Sequence, residues 1–387
     1  MFTLRHFLQT MIDPAGLCRV EGGIVPVVDE RGLPRYSAGN TAVNFEVMHL
    51  GAKKALRCYL KPTPHLAEIY GEQFIREGLY VFGDTPEEGR WVDVVLSDWI
   101  EGEAMSAVIG KAVAEGDSAR LYDLAMRFDR LASDMVGDDW AHGDLKPENI
   151  IVSPSGDLHL IDFDARYLPQ FHGEHSPELG TAAYQHPART LEDFDASLDD
   201  YPVALIATAL HALALEPHFG EENAEFCDGL LFNPRHISTD RNLNRALALF
   251  DREGRAAAYR IAELLRHPAL KLPRLKEFLD FALHELQGYP EPNISEMELA
   301  VNQNRWGYIV PRGTWAIPPL YAEGFDFSEG LAAVRLNRIW SFITPSGRTQ
   351  IRCTDCDAVK PFSKGRAIIE RQNQRFAIDR NGKEFAI

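Results

Sequence analysis

The chain has 387 residues, of which 45% are hydrophobic and 25% are charged, so it is long enough for two or three globular domains. This composition excludes global disorder, collagen and a long coiled coil. The formal net charge of -17 provides no overall attraction to nucleic acid or to an anionic membrane, and we therefore expect no nucleic-acid partner.

The N-terminal residues and the most apolar stretch argue against export and membrane insertion. Arg5, His6 and Gln9 interrupt any apolar core of a signal peptide. The longest nearly uncharged stretch, Pro202 to Leu215, has 14 residues, whereas a membrane span needs about 20. The five cysteines are too few and too scattered for a disulfide framework. We expect a cytoplasmic protein in which this stretch is a helix buried in a core.

Residues 140–164 carry the polar side chains that point most clearly to chemistry. Asp144, Lys146 and Asn149 share one loop, and an apolar strand, a Pro-Ser-Gly turn and a second apolar strand ending at Asp162 follow. This hairpin predicts that the two aspartates and the asparagine meet at one end. Mg²⁺ takes one or two protein oxygens together with substrate phosphates. A further carboxylate can accept a hydroxyl proton, and a lysine can neutralise a phosphoryl group. The pattern therefore predicts phosphoryl transfer.

The same run resembles the catalytic loop and metal-binding strand of the protein-kinase superfamily. The resemblance implies that Asp144 is the catalytic base and that Lys146 contacts the transferred phosphate. It implies that Asn149 and Asp162 hold Mg²⁺ and that Ile151 lies beneath the adenine of ATP. ATP and Mg²⁺ are therefore the expected cofactors.

Further elements follow in the order that this resemblance requires. The segment Gly180-Thr-Ala-Ala-Tyr-Gln-His-Pro187 resembles the end of a kinase activation segment, with Ala188 in place of the usual glutamate. Pro202 to Leu215 corresponds to the buried helix of the kinase C-lobe, and Asp200 is expected to hold the catalytic loop. Other helical patterns cover Asp117 to Met135, Leu243 to Leu265 and Leu272 to Leu286.

The N-terminal part departs from the kinase pattern. The candidate glycine-rich loop, residues 37–47, contains one glycine, Gly39, instead of three. Strand alternation puts Ala55 and Arg57 on one face of the next strand. Ala55 would line the adenine pocket, and Arg57 would take the position of the usual lysine. A planar guanidinium is not a simple replacement for a compact ammonium.

Other departures concern charge. Glu68 and Glu72, on the helix expected next, are equal candidates for the partner of the arginine. Asp98 lies in the expected hinge between two lobes. Gly143 stands where many regulated kinases have an arginine, so we do not expect switching by loop phosphorylation. Asp164 stands where a glycine is usual and adds a charge near the metal site.

The charge balance changes near residues 288–300. Residues 1–302 contain 27 Lys and Arg against 49 Asp and Glu, whereas the remainder contains 13 against 8. A glycine and two prolines in residues 288–293 suit a linker. The positive C-terminal segment could dock on the acidic remainder of its own chain.

The C-terminal segment repeats itself. Trp306-Gly-Tyr-Ile309 recurs as Trp340-Ser-Phe-Ile343 and Arg375-Phe-Ala-Ile378, at spacings of 34 and 35 residues, and a turn glycine follows each copy. The short aromatic and β-branched runs predict small sets of antiparallel strands. Residues 303–387 resemble the WG-repeat family, which implies interaction with a protein partner. Cys353-Thr-Asp-Cys356 has the spacing of half a zinc site, but the segment has no second ligand pair, and we expect no metal or redox role.

These interpretations predict an α+β protein with four parts: a β-rich kinase N-lobe at residues 1–98, a helical C-lobe at 99–290, a linker at 291–302 and an all-β repeat domain at 303–387. The leading hypothesis is ATP- and Mg²⁺-dependent transfer to Ser or Thr of a protein. One alternative is a small-molecule kinase of the aminoglycoside or choline phosphotransferase type, because His142-Gly-Asp144 resembles the catalytic loop of those enzymes. The other is a pseudokinase, which Arg57 and the poor glycine loop favour.

Overall fold

The chain divides into two compact units in the computed structural model. The first comprises Met1–Gly102 and His159–Arg166, and the second comprises Glu103–Leu158 and Tyr167–Ile387. The structure describes residues 2–39, 41–220, 230–287, 293–311 and 313–387. The α+β class expected from the sequence is confirmed, with a β-rich N-terminal region, a set of helices and all-β sheets at the C-terminal end.

The first unit is built on one antiparallel sheet. Its strands are β1 (Val25–Pro26), β2 (Tyr36–Ala38), β3 (Ala42–His49), β4 (Ala52–Tyr59), β5 (Phe74–Val81) and β6 (Arg90–Asp98). They are arranged in the order β1-β3-β4-β6-β5, and β2 also pairs with β3. Its helices are α1 (Leu4–Ile12) and the short α2 (Leu66–Tyr70), after which a single 3₁₀ turn covers Gly71–Gln73.

Alternation along β3 and β4 separates an apolar face from a polar one. Phe45 and Leu56 are directly opposite each other and are fully buried in the core, which α1 covers. The neighbouring pairs of the same register, Asn44 with Arg57 and Glu46 with Ala55, belong to the other face. The prediction that Ala55 and Arg57 share a face is therefore confirmed.

The second unit begins with helices and two short strands. In chain order these are β7 (Glu103–Ala104), α3 (Met105–Glu115), α4 (Ser118–Gly137), β8 (Ile150–Val152), β9 (Leu158–Leu160), α5 (Asp200–Leu215), α6 (Arg241–Glu253), α7 (Ala256–Leu264) and α8 (Leu275–Gln287). β7 pairs with β8, and within β9 the chain passes to the first unit. α4 packs against α5 and α8. Among the described helices, none has the length and apolar character needed to cross a membrane.

One sequence prediction for these helices is confirmed and another is refined. α5 is buried along almost its whole length, as its uncharged sequence indicates. The pattern from Leu243 to Leu265 forms two helices instead of one, because the chain at Gly254 adopts a left-handed conformation (φ +65°) that ends α6.

Three antiparallel sheets form the C-terminal segment. Their strands are β10 (Glu298–Asn302), β11 (Arg305–Val310), β12 (Thr314–Tyr321), β13 (Glu323–Gly324), β14 (Ala332–Arg335), β15 (Trp340–Ile343), β16 (Thr349–Cys353), β17 (Ala358–Val359), β18 (Ala367–Arg371), β19 (Gln374–Ile378) and β20 (Glu384–Ala386). The sheets are β10-β11-β12, β13-β14-β15-β16 and β17-β18-β19-β20. β10 lies in the segment expected to be linker, residues 291–302, of which residues 291 and 292 lie outside the described part of the chain.

The repeated sequence marks the same place in each sheet. The Trp306, Trp340 and Arg375 copies lie on β11, β15 and β19, and the glycine of the following turn has φ between +78° and +81° in each copy. These dihedral angles are costly for any residue with a Cβ, which accounts for glycine at the turn. The third copy forms a full four-stranded sheet although it has lost both the tryptophan and the glycine of the motif.

The repeats pack on the helices of the same unit. The buried guanidinium of Arg260, on α7, donates hydrogen bonds to the carbonyls of Leu320 (2.5 Å) and Leu336 (3.1 Å). Arg352, on β16, forms a salt bridge of 2.6 Å with Glu253 at the end of α6. The C-terminal segment thus docks on the helices, but through a buried hydrogen-bonded arginine as well as through exposed charge.

Candidate functional site

The loop before β8 is anchored from the start of α5. The Asp199 carboxylate, 4% exposed, accepts hydrogen bonds from the backbone N–H of His142 and of Gly143, the latter at 3.0 Å. Burial raises the pKa of Asp199, while the electrostatic influence of the His142 side chain and these two N–H groups oppose that rise. The prediction that Asp200 holds this loop is wrong. Asp200 accepts instead from the N–H of Leu272 at 2.7 Å, because successive residues of a helix point about 100° apart.

A compact hydrogen-bond network surrounds Asp144. Its Oδ2 accepts from Nζ of Lys146 at 2.8 Å, and its Oδ1 accepts from the backbone N–H of Thr181 at 2.5 Å. Lys146 Nζ also donates to Oγ1 of Thr181 at 2.7 Å, which closes a three-residue network. Burial alone would raise the pKa of Asp144, but the Lys146 ammonium and the Thr181 N–H outweigh it and hold that pKa below its ordinary value. Asp144 is therefore ionised at neutral pH.

Asn149 is oriented by the same aspartate. Its side-chain nitrogen donates to the backbone carbonyl of Asp144 at 2.9 Å and to Oδ2 of Asp144 at 3.4 Å. The amide oxygen accepts no hydrogen bond within the described part of the chain. An amide oxygen fixed in this way is a suitable ligand for a hard cation such as Mg²⁺. The structure brings together three of the predicted residues, Asp144, Lys146 and Asn149, in the second unit.

Arg189 supplies a positive charge that sequence analysis missed. Its side chain, from a residue that is 8% exposed, donates to the backbone carbonyl of Gly143 at 2.8 Å. The loop that lacks an arginine at position 143 thus receives a guanidinium from a residue 46 positions further along the chain. The contacts of Thr181 and Asp199 with this loop were likewise not predicted, because they are set by tertiary structure and not by local spacing.

In the first unit, Arg57 is held by two aspartates. Its Nη2 lies 2.5 Å from Oδ1 of Asp162 and 2.5 Å from Oδ2 of Asp164, and Nε lies 3.2 Å from the same Asp164 oxygen. Nη1 donates to the side-chain oxygen of Asn44 at 3.3 Å. Burial would lower the pKa of Arg57, but the charges of the two aspartates raise it above its ordinary value. The side chain is 11% exposed and stays charged.

Asp164 collects donors on both of its oxygens. In addition to Arg57, the hydroxyls of Tyr59 (3.1 Å) and Tyr70 (2.8 Å) donate to Oδ1. The carboxylate is 7% exposed. Burial and the charge of Asp164 raise the pKa of both tyrosines, which therefore remain neutral donors. This residue, noted in the sequence only as a departure from glycine, is the centre of the network.

The expected partners of Arg57 are not the observed ones. Glu68 and Glu72 are exposed, and neither pairs with Arg57. The helix predicted to present them is α2, which has only five residues, so it is too short to extend a glutamate along the sheet. Tyr70 at its end reaches Asp164 instead.

The remaining predicted residues lie in different surroundings. Asp98 is exposed at the end of β6 and forms a salt bridge of 2.5 Å with Lys54. Gly39 is exposed in the β2–β3 hairpin, and its N–H donates to the Ala42 carbonyl at 2.9 Å. Ala55, in β4 of the first unit, and Ile151, in β8 of the second, are each half-buried.

A cavity of about 420 Å³ lies in the first unit beside β2 and β3. It is lined by Arg35, Tyr36, Ser37, Asn44, Glu46 and Trp99, among others. Glu46 is paired with Lys53 at 2.8 Å, so its charge is neutralised at the cavity wall. The cavity is large enough for a small ligand and has both aromatic and polar walls.

Comparison with known families identifies only the repeats. The profile of the WG containing repeat family matches residues 306–338, which begin in β11 and continue through β14. This match supports the WG-repeat resemblance of the C-terminal segment. No curated protein shows a significant match to the chain.

Proposed function

We propose that the chain is a divergent protein-kinase-like enzyme, with an N-lobe at residues 1–98 and a C-lobe at 99–290, that transfers the γ-phosphoryl group of ATP to Ser or Thr of a protein. The observation that supports the proposal best is the network of Asp144, Lys146 and Asn149. It provides an ionised carboxylate, a neighbouring ammonium and a fixed amide ligand within one loop. These are the groups that phosphoryl transfer requires.

Each group of this network has a separate task. Asp144 accepts a hydrogen bond from the substrate hydroxyl and so directs its oxygen toward the phosphoryl group. Because the pKa of Asp144 is low, it orients the hydroxyl and takes the proton late, which suits a transition state that needs little activation of the nucleophile. Lys146 lies 2.8 Å from Asp144 and offers positive charge to the transferred group.

The kinase resemblance assigns Mg²⁺, which neutralises phosphate charge when it is bound, to Asn149 of the second unit and to Asp162 of the first. Each residue by itself offers an oxygen that a hard cation accepts, an amide oxygen in Asn149 and a carboxylate oxygen in Asp162. Asp162 is 37% exposed and one of its oxygens faces Arg57. Arg57 thereby limits the negative charge that Asp162 presents.

Asp164 takes the part that a helix glutamate has in the kinase family. It fixes the guanidinium of Arg57 through two of its nitrogens, while Tyr59 and Tyr70 hold the carboxylate. Two nitrogens of the planar guanidinium converge on one oxygen of Asp164, Oδ2, an arrangement that the single nitrogen of an ammonium cannot reproduce. The substitutions at positions 57 and 164 therefore belong together.

The contact between Arg57 and Asp162 also favours a second candidate function, nucleotide binding without transfer. A carboxylate held at 2.5 Å by a guanidinium is a weaker ligand for a cation than one that is not. Residues 37–47 contain a single glycine, so backbone amides approach phosphates less closely there. On this alternative the chain is a pseudokinase, and its partner is recognised elsewhere, for example by the WG repeats.

The test compares the full-length wild type with Asp144→Asn. We expect Mg²⁺·ATP to raise the melting temperature of both proteins, and we expect only the wild type to transfer radiolabelled γ-phosphate to itself or to a Ser/Thr-rich protein. Asp139→Asn is the matched control, because Asp139 is exposed and lies five residues earlier.

The possible outcomes separate the alternatives. Nucleotide binding without transfer in the wild type favours the pseudokinase, and transfer only to an aminoglycoside or choline favours a small-molecule kinase. The absence of a thermal shift with any nucleotide contradicts all three. Arg57→Lys gives a second comparison: reduced transfer is expected, since lysine has no counterpart to Nε and Nη1, which contact Asp164 and Asn44.

A further inference from the structure

Two cysteines lie together where the second and third repeats meet. Cys353 is the last residue of β16, and Cys356 lies two residues before the start of β17, with Thr354 and Asp355 forming the turn between the cysteines. Both cysteines are buried, at 4% and 8% exposed. They belong to one apolar core that contains residues of both repeats, among them Trp340 and Phe362.

The two thiols influence each other and differ in character. A hydrogen bond from Cys353 to the Cys356 sulfur lowers the pKa of Cys356 to about 7, with burial opposing this change, and raises the pKa of Cys353. Nη2 of Arg371 lies 3.8 Å from Sγ of Cys356 and also favours its thiolate. Arg371 is itself held by Glu384 at 2.9 Å. The pair therefore consists of a nucleophilic sulfur beside a protonated one.

In contrast to the expectation from the sequence, we propose that Cys353 and Cys356 form a reversible disulfide, which makes the junction of the second and third repeats a redox modification site for a small disulfide such as oxidised glutathione. The turn allows this bond. Residues at the two ends of a β-turn have Cα atoms less than about 7 Å apart, and disulfides span about 4.4–6.8 Å between Cα atoms. Both side chains are buried in the same apolar core, which keeps them close to each other.

The exchange proceeds in two balanced steps. The Cys356 thiolate attacks one sulfur of oxidised glutathione, breaks its S–S bond and releases one glutathione thiolate, which takes up a proton. The Cys353 thiol then loses its proton to solvent and attacks the Cys356 sulfur, and the second glutathione leaves as a thiolate that is protonated. In total, two protein thiols are oxidised to one disulfide and one glutathione disulfide is reduced to two thiols.

The other described cysteines lack these features. Cys58 is fully buried in the core of the first unit, and burial raises its pKa. Burial likewise raises the pKa of Cys18, although Cys18 is more exposed than Cys356. We therefore expect Cys356 to react faster than Cys18 at neutral pH although it is less exposed. If exposure alone set the rate, Cys18 would react faster.

The site lies on the strand that connects the repeats to the helices. β16 also carries Thr349, whose hydroxyl donates to the Gly254 carbonyl at 3.2 Å, and Arg352, which pairs with Glu253. Closing the disulfide fixes the end of β16 relative to the start of β17. The redox state thus changes the mobility of the third repeat next to a strand that is already anchored on α6.

The experiment uses the full chain with Cys227→Ser, because Cys227 lies outside the described residues. The protein is equilibrated in glutathione buffers of increasing oxidised fraction, acid-quenched, alkylated and mapped by mass spectrometry. We expect a peptide lighter by two hydrogen atoms that contains both Cys353 and Cys356, and its thiols should return on addition of reduced glutathione. Cys353→Ser should instead accumulate a mixed disulfide with glutathione at Cys356.

The role of Arg371 is tested by the rate at which iodoacetamide alkylates Cys356 at pH 7. Arg371→Met should slow this rate about fivefold, since a pKa rise of one unit reduces the thiolate fraction from about one half to about one tenth. Arg375→Met is the matched control, because Arg375 is exposed on the neighbouring strand β19. The proposal is overturned if the folded protein forms no internal disulfide in the most oxidising buffer, or if the disulfide forms only in denaturant.

Discussion

The buried pair of Arg57 and Asp164 should contribute strongly to the stability of the first unit. In Asp164→Asn the amide oxygen can still accept from Tyr59 and Tyr70, whereas the charge opposite Arg57 is lost. A buried hydrogen bond to a charged group contributes about 1.5–3 kcal/mol. Because Arg57 keeps Asp162 as a partner, we expect a loss of about 2–3 kcal/mol, less than the 3–5 kcal/mol typical of a buried charge left alone.

Hydrogen exchange at the amides of β4 measures this loss within the first unit. A loss of about 2–3 kcal/mol corresponds to exchange about 30 to 150 times faster. Asp98→Asn is the matched control, since the Asp98–Lys54 contact is also 2.5 Å long but the carboxylate is 82% exposed. An exposed pair contributes about 0–1 kcal/mol, so the control should change exchange less than about fivefold. Equal effects of the two substitutions would refute the reasoning from burial.

Two further predictions concern the second unit. Burial raises the pKa of Asp200 to about 7 from its ordinary 3.8, so the native state holds a proton that the unfolded state releases, and stability falls as the pH rises from about 4 to about 7. At pH 8 the Asp200→Asn variant should therefore be more stable than the wild type by up to about 4 kcal/mol and should unfold at a higher urea concentration, whereas at pH 3 the two proteins should unfold at the same urea concentration. An equal stability difference at the two pH values would contradict this. Gly254→Ala should destabilise more than Gly116→Ala: both glycines end a helix at nearly the same φ, +65° and +66°, but only a Cβ at Gly254 meets Thr349, at 2.5 Å. Equal melting temperatures of the two variants would contradict close packing between Gly254 and Thr349.

The parts of the site that are close in sequence could be predicted from the sequence. Asp144, Lys146 and Asn149 lie within six residues, and the structure places them in one hydrogen-bond network. The repeat could also be predicted from the sequence, because its period aligns the strand and the turn glycine of each copy. Even the third copy forms its sheet, since cross-strand pairing and the apolar core tolerate loss of the motif residues.

The contacts between distant segments could not be predicted in the same way. Whether Asp199 or Asp200 holds the loop depends on one residue at the start of a helix, which sequence patterns do not resolve. The partner of Arg57 depends on the length of α2, and a helix of five residues leaves no periodic pattern to measure. Arg189 is 46 positions from the carbonyl that it contacts, so no local spacing indicates its role.

The central claim, that Asp144 serves phosphoryl transfer, is tested most directly by the steady-state rate of γ-phosphate transfer in wild type and Asp144→Asn at saturating Mg²⁺·ATP. A carboxylate that orients and deprotonates the acceptor hydroxyl contributes about 10²–10⁴-fold. We predict that kcat falls by at least about 100-fold while the KM for ATP stays within about threefold, because the proposal assigns Asp144 to the acceptor hydroxyl and not to the nucleotide. Wild-type protein that transfers no phosphate, or a variant that transfers it at the wild-type rate, would contradict the claim.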